Sequence, residues 1–508
     1  MASSSLVIGQ EFADVETCRR SLKDISIALH FDLRVVKSDR GRFIAKCSEE
    51  GCPWHVHAAK CPGVPTFMIR TLRAEHTCAG VLNHYHQQAD VGWVARSVEA
   101  RLRDNPQYKP KEILQDIRAH HGDAVSYMQA WRGKERSMAA VHGTFEEGYS
   151  LLPAYCEQVR KTNPGSIASV FVGHENHFQR LVVSYSASIY GFIKSCRPLL
   201  ELDRTQLRGK YLGSLLCAAA VDAEDTLFPL AFAIVDSESD ENWMWFLSEL
   251  RKLFGVNTES MPRLTILSDR QRGILEAVET HFPSAFHGFC LRHDAKLVNI
   301  FWSAVYALTA VEFESKISEM VEISQDVLQW FHHFPPRLWA VAHFEGVRYG
   351  HFTLGVTEIL HNWAREGQEL PIVQMMEHIR HQLTSGYRDR RNMGMSWNSS
   401  ILVPSAEKRI AEAIADSRCY QVLRANEIEF EIVSTERTSI VDIRSRVCSC
   451  CRCQIYGLPC AHAAAALISC GLNVQLFAER CFTMASYLET YGEIIKPYSR
   501  QDSLEGTR

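Results

Sequence analysis

Two short windows of this chain are crowded with metal-binding side chains. Residues 448–462 hold Cys448, Cys450, Cys451, Cys453, Cys460 and His462. Residues 47–78 hold Cys47, Cys52, His55, His57, Cys61, His76 and Cys78. A segment that short cannot bury enough apolar surface to fold on its own. Three thiolates and an imidazole suit tetrahedral zinc, and the metal then supplies much of the folding free energy. In the C-terminal window a Cys-x-Cys pair precedes a Cys-x-His pair at the head of an Ala-rich helical run. Cys451 and Cys453 offer a second register for the first pair. In the N-terminal window Cys47-x4-Cys52 and His76-x-Cys78 make two pairs, with His55, His57 and Cys61 as spare candidates.

The bulk charge is unhelpful. Across 508 residues the net charge is -4, so any nucleic-acid surface has to be local. Between Arg34 and Arg73 there is such a place. Arg34, Lys37, Arg40, Arg42, Lys46, Lys60, Arg70 and Arg73 face only Asp39, Glu49 and Glu50, a local net of +5. Basic strands of this kind can pair with phosphates and enter a major groove. The start lacks a basic segment followed by an apolar one, and no run reaches the roughly 18 apolar residues of a membrane span. The 17 cysteines are therefore expected in a reducing compartment, as metal ligands before disulfides.

The length calls for several domains. The boundaries read as 1–85 for a zinc-binding module, 86–165 for a helical linker, 166–420 for an α/β body, 421–492 for a small β-then-α unit and 493–508 for a tail. The runs 199–202, 215–221, 228–235 and 264–268 read as buried strands. The first ends at Asp203 and the last at Asp269, and strand ends are where α/β sites gather. Glu358 falls on a helix with one buried face, marked by Val356, Leu360 and Trp363. Two strand-borne aspartates and a helix-borne glutamate can hold two divalent cations, with Mg²⁺ suited to such oxygen ligands. On spacing alone Asp222, Asp236 and Glu238 compete for these roles. Residues 427–432 and 441–447 alternate as a hairpin with one wet face.

Larger motifs resemble a known family. Leu202-Asp203-Arg-Thr-Gln-Leu-Arg-Gly-Lys-Tyr-Leu-Gly213, Leu267-Ser-Asp269 and Cys290-Leu-Arg-His293 resemble blocks of Mutator-like (MULE) transposases. So do Glu241-Asn-Trp-Met-Trp-Phe-Leu247 and Tyr349-Gly-His-Phe-Thr353 leading to Glu358. The C-terminal window resembles a SWIM zinc finger, which selects Cys448, Cys450, Cys460 and His462. The N-terminal window resembles a WRKY/GCM-like finger, with Cys47, Cys52, His76 and Cys78 as ligands. The closest resemblance is to the domesticated MUSTANG group.

What the resemblance implies is an α+β multidomain chain. It consists of the N-terminal finger, an RNase H-like core with a helical insertion, and a small ββα SWIM finger. It implies two structural zinc sites, double-stranded DNA as partner, a nuclear location and a role in transcription. It also implies catalytic Asp203, Asp269 and Glu358 with Mg²⁺ if the core is an active DDE transposase. Gly355, Ile359 and His361 replace the Asn, Ser and Asn usual around Glu358, which favours a DNA-binding regulator over an enzyme. Protein partners through the SWIM finger and self-association are further expectations.

Overall fold

Alternation of side chains shapes the first sheet. Phe43, Ala45 and Cys47 are buried, whereas the residues between them, Ile44 and Lys46, stay half-exposed. In the computed structural model this strand is β3 (Arg42–Cys47). It pairs within the antiparallel order β1-β5-β4-β3-β2, with β1 Glu11–Phe12, β2 Leu33–Ser38, β4 His55–Lys60 and β5 Phe67–Arg73. The helix Val15–Ala28 covers one face. Asp14 caps it by accepting from Thr17 N at 2.7 Å, and Cys18 and Leu22 pack with Phe43, Val56 and Ile69. The helices Val91–Asp104, Pro110–His121 and Tyr127–His142 follow. Gly122 closes the second at φ +69, and Ser126 with Gln129 forms a capping box on the third.

The structure describes residues 6–80, 86–122, 125–173, 177–207, 210–254, 264–269, 271–289, 298–323, 335–351, 362, 366–367, 369–397, 401–434 and 438–497. The chain divides into two units, Met1–Glu147 with Glu369–Pro371, and Gly148–Gln368 with Ile372–Arg508. No described helix is long and apolar enough to cross a membrane.

The second unit is built on a seven-stranded sheet. Its strands are β6 Ile167–Val172, β7 Phe178–Ser184, β8 Leu199–Leu207, β9 Gly213–Val221, β10 Leu227–Val235, β11 Thr265–Ser268 and β12 Phe286–Phe289. Their order is β12-β11-β8-β9-β10-β7-β6. The pairs β8–β11 and β11–β12 are parallel and the others antiparallel. Every residue of β9 is buried, which explains its unbroken apolar run. Between β12 and residue 351, helices Val298–Tyr306 and Ala310–Ile323 gather around Trp339, which stacks on Phe301 at 5.2 Å.

Two expectations need correction. Asp203 does not sit beyond its strand. β8 runs on to Leu207 because β9 pairs with it as far as Gly213, so Asp203 lies inside β8. Residues 441–447 are not one strand either. β15 (Thr438–Asp442) stops where the Asp442 carboxylate accepts from Arg444 N and Ser445 N at 2.8 Å each, and this turn leads into β16 (Val447–Cys448). With β13 (Gln421–Arg424) and β14 (Glu429–Val433) they form a four-stranded antiparallel sheet packed against helix Ala461–Ser469.

After this sheet the chain returns to the body of the unit. Helix Met484–Thr490 packs on Ser186–Lys194 and Ile372–Ser396. Beyond it, Tyr491 donates to the buried Asp222 Oδ2 at 2.7 Å. Tyr491→Phe should strip that carboxylate oxygen of its donor and cost about 1–3 kcal/mol. Denaturant unfolding of the two proteins checks this.

Candidate metal centres and carboxylate site

The structure brings together Cys47, Cys52, His76 and Cys78, and separately Cys448, Cys450, Cys460 and His462. In each group the ligand atoms lie within 4.8 Å of one another. A tetrahedral zinc site sets sulfur–sulfur edges of roughly 3.8 Å and sulfur–nitrogen edges of roughly 3.5 Å. The N-terminal group has Cys47 Sγ–Cys78 Sγ at 3.7 Å, Cys52 Sγ–His76 Nδ1 at 3.4 Å and Cys78 Sγ–His76 Nδ1 at 3.6 Å. The C-terminal group has Cys450 Sγ–Cys460 Sγ at 3.5 Å and Cys448 Sγ–His462 Nδ1 at 3.8 Å. Both sets fit the metal, each with Nδ1 turned inward.

Local structure explains the aim of these side chains. Cys47 ends β3, and Cys47 N donates to Trp54 O at 3.1 Å, closing the loop that carries Cys52. His76 stacks on Trp54 at 5.6 Å and lies tilted against Phe31 at 4.1 Å. In the second centre Cys448 ends β16, and Cys460 caps helix Ala461–Ser469, so the helix start presents His462. Tyr420 stacks on that imidazole at 5.0 Å. Cys451 takes a left-handed conformation at φ +61, which turns it away from the group. Cys453 instead accepts from Cys460 N at 3.2 Å, and so supports a ligand from outside the group. His55, His57 and Cys61 belong to neither cluster.

The electrostatics divide the ligands, all of which must be deprotonated to hold a metal. Burial pushes the Cys47 thiol up to about 12. Burial also opposes ionisation of Cys52, but the N–H groups of Trp54 and Thr77 outweigh it and lower that thiol to about 6. In the C-terminal group Cys448, Cys450 and Cys453 hold the Cys460 thiol far below its ordinary value. In turn Cys450 and Cys460 push His462 up to about 9. Chelating the metal at neutral pH should therefore destabilise both modules; melting temperatures with and without chelator read the loss.

Register assembles the carboxylates. Parallel pairing sets Thr265 beside Leu199 and Leu267 beside Glu201. The ladder ends there, and Asp269 follows the last residue of β11, so the same register carried two residues further runs toward Asp203. Both are half-buried. Asp269 accepts from Gln271 N at 3.2 Å and Asp203 from Arg204 N at 2.8 Å. Asp222 is spent on Tyr491 and on the N–H groups of Glu224 and Thr226, while Glu238 pairs with Arg204 at 2.6 Å. Asp236 accepts from Asn242 Nδ2 at 3.0 Å. Glu358, Cys290 and His293 lie outside the described residues, as do Gly355, Ile359 and His361.

Sequence reasoning missed the group behind Asp203. Glu201 shares its face of β8 and is fully buried. His351 Nδ1 approaches Glu201 Oε1 at 3.4 Å and its Nε2 approaches Asp225 Oδ1 at 3.8 Å. Arg197, also fully buried, pairs with Asp225, and Arg409 reaches the same carboxylate at 2.6 Å. The signal was a lone acid within an apolar strand. Burial lowers the His351 pKa, but Asp225 and Glu201 outweigh it and the net shift is upward. A raised imidazole pKa stabilises the fold below the ordinary value of 6.5, and that stability is lost as pH rises through the folded value. The wild type should therefore lose more stability than His351→Gln as pH climbs above 6.5. Melting temperatures across a pH series check it.

The outward positions of the first sheet carry the basic residues: Arg34 and Lys37 on β2, Arg42 and Lys46 on β3, Arg70 and Arg73 on β5, with Arg40 in the β2–β3 turn. Lys37 pairs with Asp39 at 3.7 Å.

Comparison with known families agrees with these sites in position. Residues 4–69 match the model of the MuDR family transposase, which spans Cys47 and Cys52. Residues 199–296 match the MULE transposase domain, which spans Asp203 and Asp269. Residues 425–471 match the SWIM zinc finger, which spans Cys448, Cys450, Cys460 and His462. No curated protein matches the chain.

Proposed function

We propose that this chain, which carries MuDR-transposase, MULE-transposase and SWIM zinc-finger segments, is a zinc-dependent DNA-binding protein derived from a Mutator-like transposase. It acts in the nucleus on transcription, as a domesticated member of the MUSTANG kind. Zinc occupies both Cys₃His centres. The carrying observation is the N-terminal sheet, clasped at one end by a zinc-sized ligand cage and lined on its outer face with basic side chains. The WRKY/GCM-like reading of this module and the division at 85, 165, 420 and 492 belong to the same proposal.

A second reading has its own support. In the order β10-β9-β8-β11-β12, β9 runs opposite to its neighbours and β11 and β12 run parallel to β8, which suits an RNase H-like core. Asp203 lies within β8 of that core and Asp269 just past the end of the neighbouring β11. With Glu358 they would hold Mg²⁺, which polarises the phosphodiester and activates the attacking oxygen. Asp203 supplies a negatively charged oxygen from within the ladder, and Asp269 one from just past the end of β11.

Purified full-length protein with terminal-repeat DNA and Mg²⁺ separates the readings. Binding without cleavage, lost in Cys47→Ser/Cys52→Ser, supports the regulator. Cleavage and joining that vanish in Asp269→Ala establish the enzyme. Binding that survives loss of both cysteines sinks the role given to the N-terminal zinc.

A further inference from the structure

The outer face of the N-terminal sheet holds an arrangement that sequence order conceals. Arg34 of β2 is paired in register with Lys46 of β3. Lys46 is paired with His55 of β4, and His55 with Arg73 of β5. Four residues from distant parts of the chain thus stand in one row across four strands. Their neighbours Leu33, Cys47, Val56 and Leu72 pack in the core beneath helix Val15–Ala28, so the row points the other way. Arg34 and Arg73 are exposed, and Lys46 and His55 half-exposed. None of the three cations in the row forms an ion pair among the described residues. The next outward row, Lys37, Ile44, His57 and Thr71, holds a single Lys or Arg, Lys37, and it is paired with Asp39.

Spacing gives the row its meaning. Four strands at about 4.8 Å place the backbones of Arg34 and Arg73 about 14 Å apart. The major groove of B-DNA is about 12 Å wide. We infer that this row spans the major groove of double-stranded DNA, with Arg34 and Arg73 each taking a phosphate on opposite sides. Lys46 and His55 lie over the groove between them. The sheet face lies across the groove, whereas a two-stranded ribbon would enter it edgewise. The ligand cage closes the same end of the sheet: Cys47 follows Lys46, Cys52 shortly precedes His55, and His76 shortly follows Arg73. The clasp therefore ties the ends of β3, β4 and β5 together, and the pairing of Arg34 with Lys46 holds β2 to them. This inference rests on the DNA-binding reading above.

The test uses full-length, zinc-loaded protein and a random-sequence DNA duplex, with affinity measured over a salt series. Each phosphate contact adds about 0.9 to the steepness of log K against log salt. Arg34→Ala and Arg73→Ala should each remove that amount, and their losses should add. Arg34→Lys and Arg73→Lys should keep the wild-type slope, and Lys37→Ala, whose charge is already paired with Asp39, should lower it less than either alanine variant of the row. Zinc content and melting temperature of each variant guard against loss of fold. Slopes that fall with Lys37→Ala and Arg40→Ala but not with Arg34→Ala and Arg73→Ala would overturn the row and leave DNA binding through the β2 edge. An equal Arg34 and Arg73 dependence on double-stranded RNA, whose major groove is deep and narrow, would overturn the groove-spanning geometry. Wild-type protein that binds no duplex would overturn the DNA-binding reading itself.

Discussion

A guanidinium with no exposed side-chain surface organises the second unit. Burying Arg197 is tolerable only if its charge is paired. Asp225 supplies the charge and Ala223 O accepts at 3.0 Å. The ring of Phe482 covers the guanidinium at 4.5 Å, and that of Tyr349 lies 5.8 Å away. These partners come from separate stretches: the β9–β10 turn, the segment entering residue 351, and the chain beyond the C-terminal finger. His351 extends the network to Glu201, two residues before Asp203. A single buried cation thus ties the strand bearing the first aspartate to the end of the chain.

The same neighbourhood makes the C-terminal finger part of the body rather than an appendage. Tyr349 N donates to Ile455 O at 3.1 Å, and its hydroxyl donates to Glu479 at 2.9 Å. Glu479 N returns to Gly457 O at 3.0 Å. Gly457 has φ +69, and a Cβ there would stand 3.0 Å from both Phe482 and Tyr349, so both backbone and space call for glycine. Residues 455 and 457 lie between Cys450 and Cys460, in and directly after the short helix Arg452–Tyr456. A metal held by Cys450 and Cys460 would therefore also shape the surface on which Tyr349 rests.

How much of this was legible in the sequence depended on the range of the interaction. The two ligand sets could be read because their members sit in close pairs, and two pairs can close a site across a short sheet. β9 and β10 were visible as apolar runs because both of their faces are buried. The length of β8 was hidden, since polar residues after Asp203 look like a loop until β9 is seen to pair with them. The turn at Asp442 was hidden for the opposite reason: its hydrogen bonds are local, but the alternation of Val441, Ile443 and Val447 imitates a strand. The Glu201–His351 contact joins residues far apart in the chain, and nothing in either local pattern announces the other. The row Arg34, Lys46, His55 and Arg73 was equally unreadable, because only register decides which basic residues stand together.

Two centres with the same ligand types thus do different work. In the C-terminal centre Cys448, Cys450 and Cys460 are themselves core residues, packed with Phe430, Ile432 and Val441. Its neighbours lead inward to Tyr349 and Arg197, so its consequences are structural. In the N-terminal centre Cys52, His76 and Cys78 stay half-exposed, and residues beside the ligands lead outward to an uncompensated cationic face. A chain with net charge -4 is expected to repel DNA at long range, and screening limits that repulsion to about 10 Å at moderate salt. Under the DNA-binding reading, contact therefore has to come from a surface whose charge is local and rigidly spaced. The N-terminal sheet meets that requirement, because metal ligands fix the end of the sheet where its cations align.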